Sequence, residues 1–100
     1  MLFMINWEIN HDQKMDTFGA FAGMSEADDA EVEQAHGFTQ IGRWHDIASG
    51  RGVAIIEAES SEAVHGFLMM WTGGISTFDI TPVLDDAAAR AVINANMPEG

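Results

Sequence analysis

The chain has 100 residues, 47% of them apolar and 20% charged, which suits one small globular domain over residues 1–100 and argues against disorder. Sixteen acids against four bases leave a formal charge of −12; one lysine and three arginines cannot supply the counterion release that drives nucleic-acid binding, and an anionic membrane surface is disfavoured for the same reason. Cysteine is absent, which excludes a disulfide framework, a thiolate metal site and a cysteine nucleophile.

Residues 2–9 read as a strand, with Phe3, Ile5, Trp7 and Ile9 on one wholly apolar face and Met4, Asn6 and Glu8 on the other. A chain end this apolar needs cover, so the first strand is expected at the centre of a sheet. Its apolar run is too short for a signal-peptide core or a membrane span, and no basic residues precede it. Together with the missing cysteines, this sets the expectation of a soluble cytoplasmic protein.

Asn10-His11-Asp12 is turn chemistry, and Asp12 is placed to cap a helix beginning at Gln13, with Met15, Phe18, Phe21 and Ala22 at helical spacing. Ser25 reads as a second N-cap. Glu26, Asp28 and Asp29 follow in the first turn, where acids favour the positive end of the helix dipole. That acidic helix is expected to be exposed and to stop before Gly37.

Residues 40–47 and 53–58 read as two strands joined by a glycine-containing turn. Alternation puts Arg43 and His45 on one face, flanked by Ile41 and Ile47, with Gly42, Trp44 and Asp46 on the other. Ser60-Ser61 then caps a helix through Trp71, striped by Val64, Phe67 and Leu68, and Thr72-Gly73-Gly74 ends it, with either glycine suited to a left-handed cap. Residues 75–83 form the last strand, and Pro82 within it implies an edge position or a strand end. Asp85-Asp86 opens a final alanine-rich helix ending before Pro98.

The order β-α-β-β-α-β plus a terminal helix is that of a ferredoxin-like α+β fold, a four-stranded antiparallel sheet with helices on one face. Its other face would be bare in a lone subunit, so a homodimer is expected.

Three separated motifs carry a resemblance. The Met1-Leu2-Phe3-Met4-Ile5 start with its nearby Trp7, the Gly42-Arg43-Trp44-His45 strand with a following strand ending in Glu57-Ala58, and the stretch from Phe78 to Leu84 together resemble the bacterial domain-of-unknown-function family 3303. The resemblance implies a dimeric α/β barrel, two ferredoxin-like sheets packed face to face, with no established activity. The wider dimeric-barrel group includes antibiotic-biosynthesis monooxygenases and haem-degrading enzymes. Haem degraders of that group use an asparagine on the first strand with a tryptophan and a histidine on the second helix. Asn6 and Trp71 match the first two by type, but no histidine follows Trp71, and His65 precedes it.

Within that frame Arg43 and His45 are candidates to line a pocket between paired sheets, one binding a carboxylate or enolate and the other moving a proton, with Asn6, Asp79 and Trp71 completing it. The competing reading is an ion-pair cluster at the dimer interface, with Arg43 held by Glu8, Glu57 or Asp79. Trp7, Trp44 and Trp71 suit an aromatic box for a planar ligand or, more simply, core and interface filling. The four histidines show no metal-binding spacing and no glycine loop cradles phosphate, so no metal or cofactor is expected. The function expected is binding of a small, anionic organic molecule. A cofactor-free oxygenase or isomerase is its enzymatic form, and a structural or regulatory dimer without a ligand is its rival.

Overall fold

The computed structural model describes residues 1–98. Strand β1 (Leu2–Ile9) pairs antiparallel with β3 (Arg51–Ala58) on one side and with β4 (Ile75–Val83) on the other. Strand β2 (Phe38–Asp46) completes a sheet of order β2-β3-β1-β4, so β1 is central and Pro82 lies on an edge strand, where its missing N–H is tolerated.

Cross-strand register decides which side chains share a face. Phe3, Ile5 and Trp7 stand opposite Ile56, Ala54 and Gly52 on β3, and opposite Pro82, Ile80 and Phe78 on β4. This face carries the core, in which Phe3, Ile5, Ile56 and Val64 are fully buried, with Phe38, Phe67 and Leu68 packed around them. Met4, Asn6, Val53, Ile55 and Asp79 belong to the opposite face.

Side-chain caps open the later helices and the 3-10 turn that leads into the first. Asn10, rather than Asp12, accepts the first orphan N–H, opening a 3-10 turn (His11–Gln13) that runs into α1 (Lys14–Ala22). Helix α2 (Glu26–His36) has a reciprocal capping box. Asp28 N–H donates to the Ser25 hydroxyl, and Ser25 N–H donates to the Asp28 carboxylate. Gly37, at φ 71°, ends α2 in the left-handed conformation.

Ser60 caps α3 (Ser61–Leu68), which buries Val64, Phe67 and Leu68. The turn expected to continue as α-helix through Trp71 tightens instead to 3-10 geometry over Met69–Trp71. Among the described residues positive φ is confined to Gly37 and Gly50, so neither Gly73 nor Gly74 takes the expected left-handed cap. Gly74 answers a need for space, since a Cβ there would overlap the Thr17 hydroxyl.

The architecture is ferredoxin-like βαββαβ, with α2 inserted before β2 and α4 (Asp86–Asn96) appended. Among the described residues no helix is long and apolar enough to cross a membrane.

Candidate functional site

The pairing of β2 with β3 slips by one residue between Gln40 and Gly42, leaving Ile41 as the extra residue of a β-bulge. Without that residue, Gln40 and Arg43 could not share a face, because they are an odd number of positions apart. With it, Gln40, Arg43 and His45 stand opposite Ile56, Ala54 and Gly52, on the face beneath the helices. Ile41 itself is exposed and does not flank the pair as alternation implied, whereas Ile47 borders the cavity.

That cavity measures about 290 Å³ and lies between the sheet, α1 and the Met69–Trp71 turn. Trp7, Phe21, Trp71 and Phe78 supply aromatic wall, and Arg43 and His45 are among its polar groups with Thr17, Gln40, Asp46 and Arg51. Trp7 owes its position to Gly52. Its indole occupies the space that a Cβ on its β3 partner would fill. Phe21, from α1, lies 6.3 Å from Trp71 between ring centroids.

Arg43 is mostly buried, its guanidinium 4.7 Å from the Phe21 ring centroid in a cation–π arrangement. Its Nη2 stands 3.5 Å from the Asp29 carboxylate of α2. One helical turn on, Glu33 accepts the backbone N–H of Gln40 at 2.6 Å, beside the bulge. Helix α2 thus grips β2 at the residues that flank the irregularity.

The acids expected for Arg43 lie elsewhere. Glu57 pairs with the N-terminal ammonium, and Glu8 and Asp79 belong to the outer face. His45 packs edge-on to Trp7 at 5.6 Å and tilted against Phe21 at 4.7 Å. His45 remains exposed to solvent, but its partial desolvation against the two rings, and secondarily the Arg43 charge, lower its pKa from the usual 6.5 and so favour the neutral imidazole.

Arg43, His45 and Trp71 therefore meet at one cavity, and Asn6 and Asp79 do not join them. Those two face each other across β1 and β4 on the opposite side of the sheet. The pocket expected between paired sheets is corrected to a cavity beneath the helices of one chain, and the sheet itself separates the two sets. The same separation parts Asn6 from Trp71, the two residues that match the haem degraders by type. His65 is exposed, its Nδ1 2.8 Å from the Ser61 carbonyl within α3. Trp44 also lies on the outer face, folded over Gly42, so the three tryptophans do not form a box. Phe21 and Asp29 are the site residues missed, one read as a helix-stripe residue and the other as a helix-start acid.

Residues 1–97 match the sequence profile of the family described as Domain of unknown function (DUF3303). The chain belongs to that family. No curated protein matches it in sequence. Among solved structures it is similar to the 5-chloro-2-hydroxyhydroquinone dehydrochlorinase (TftG) from Burkholderia phenoliruptrix AC1100, solved in complex with 2,5-dihydroxybenzoquinone. The TM-score is 0.57 at 16% identity, over 88% of this chain and 98% of that one. L-rhamnose mutarotase FA22100 from Formosa agariphila aligns at a TM-score of 0.48 and 10% identity, over 85% of this chain and 94% of that one. At these identities the likeness is one of fold.

Proposed function

We propose that this DUF3303 protein binds a small, planar, anionic organic molecule in the cavity beneath its helices. The ring lies among Trp7, Phe21 and Trp71, and the acidic group sits on Arg43, with the neutral imidazole of His45 as hydrogen-bond partner. The observation that carries this reading is a 290 Å³ space, close to the lower end of ligand-pocket sizes, with aromatic walls and the mostly buried cation of Arg43. A neighbour of the same fold holding 2,5-dihydroxybenzoquinone, a one-ring acidic molecule, supports it.

The low pKa of His45 favours an enzymatic form of the same site, a cofactor-free isomerase or oxygenase. A neutral imidazole can take a proton from a bound phenol or carbon acid while Arg43 stabilises the resulting oxyanion. Two copies pair through the outer sheet face, where Met4, Val53, Ile55 and Trp44 lack cover from the chain's own helices.

Thermal-shift measurements against one-ring hydroxylated aromatic acids and dihydroxyquinones test the ligand reading, with Arg43→Gln alongside. Compounds that raise the Tm of the native chain but not of Arg43→Gln support it. If no compound stabilises the native chain, the ligand-free structural dimer takes its place.

A further inference from the structure

Helix α4 buries none of its residues and makes only isolated contacts with the rest of the chain. Eleven residues are too few for a stable isolated helix in water, so its formation calls for tertiary cover. Its sequence is amphipathic, with Ala89, Val92 and Ile93 on one stripe and Arg90 and Asn94 away from it. Val92 and Ile93 are each more than half exposed.

Two exposed apolar side chains lie at the other edge of the sheet. Ile41 and Trp44 on β2 are 62% and 60% exposed, whereas α4 follows β4 at the opposite edge. We propose that α4 is an exchanged arm, which seats its Val92–Ile93 stripe on the partner's Ile41 and Trp44 in a homodimer.

Symmetry supplies the route. When two sheets face each other about a two-fold axis parallel to their strands, β4 of one copy lies over β2 of the other. β4 ends at Val83, level through Leu2 and Glu57 with Thr39, so each arm leaves beside the Ile41 end of the partner's β2 and runs back along it to Trp44, and the two contacts are equivalent, as an isologous interface requires. Charge supports the same occupant. The chain carries −12, so two copies repel, but α4 holds one acid and one base, Asp86 and Arg90, 3.9 Å apart on successive turns. It is a neutral arm on an acidic protein and can approach a second copy without adding to the repulsion. The exchange also gives Ile41 a role, since the bulge residue becomes the arm's seat.

This inference rests on the paired-sheet reading, and its test separates the two. The chain has no cysteine, so an Ile41→Cys/Ile93→Cys variant treated with a short bis-maleimide reports only the engineered pair. Light scattering gives the oligomeric state, and a denaturing gel gives the cross-link. The expected result is a dimer that becomes covalent in the double variant, while Ile93→Asp weakens dimerisation at least tenfold with the β-sheet spectrum retained. A dimer that does not cross-link and tolerates Ile93→Asp overturns the arm and leaves sheet pairing intact. A link formed within one chain overturns the exchange, and a monomer at all concentrations overturns both.

Discussion

Asp29 of α2 and Arg43 of β2 face each other at 3.5 Å, well beyond the 2.7–2.9 Å of a strong charge-assisted bond. The carboxylate holds the guanidinium in place over Phe21 without saturating it. A ligand acid arriving in the cavity competes for the same donors. Asp29→Asn is therefore expected to tighten binding of an aromatic acid several-fold by freeing Arg43. Arg43→Gln is expected to weaken it by about 10- to 100-fold, the range for a lost hydrogen bond to a charged group. Calorimetric titration of both variants checks the opposite signs.

Trp7 and Gly52 form a second dependence. A methyl group at position 52 would overlap the indole, which also packs edge-on against His45. Gly52→Ala is expected to destabilise the fold by about 1–3 kcal/mol, the usual cost of overpacking, and to abolish ligand binding by tilting Trp7 into the cavity. Urea unfolding followed by tryptophan fluorescence measures the first effect, and the thermal-shift panel measures the second.

The pH dependence has a definite sign. His45 titrates below its ordinary 6.5 in the folded protein, through partial burial and then through Arg43. Between the folded and unfolded pKa values the unfolded chain binds more protons, so this group makes stability rise with pH up to about 6.5 and remain level above it. The contribution is lost as pH falls through the folded pKa. His45→Gln should consequently lose less stability than the native chain between about pH 7 and about pH 5, as read from denaturant midpoints. A bound anion opposes the Arg43 repulsion and raises the His45 pKa, so binding takes up protons and strengthens as pH falls.

What was legible in the sequence follows from the range of the signals. The bounds of β1 and β4, the Ser25 and Ser60 caps and the edge proline all rest on neighbours a few residues apart. Arg43 and His45 were placed together because two-residue spacing fixes a shared face whatever lies beyond. Which face that is depends on pairing with β3, and the one local mark of the bulge, the isolated Gly42 within the strand, does not say which residue is extra. Asn6 and Asp79 were grouped with the pair for want of that register. Asp29 was out of reach because its role exists only once α2 docks beside β2. The glycines divide in the same way. Gly37 announced itself as a helix stop, whereas Gly52 is explained only by Trp7 across the sheet.

The central claim is that one side of the sheet holds a ligand site, and the three tryptophans report on it directly. Trp7 and Trp71 border the cavity, while Trp44 lies across Gly42 on the other face and serves as an internal control. The three indole N–H signals, assigned by single substitutions, are to be followed by nuclear magnetic resonance while a hydroxylated aromatic acid is titrated in. The account predicts saturable shifts for Trp7 and Trp71 with Trp44 unmoved. Shifts confined to Trp44, or no shift for any acid in the series, would contradict it.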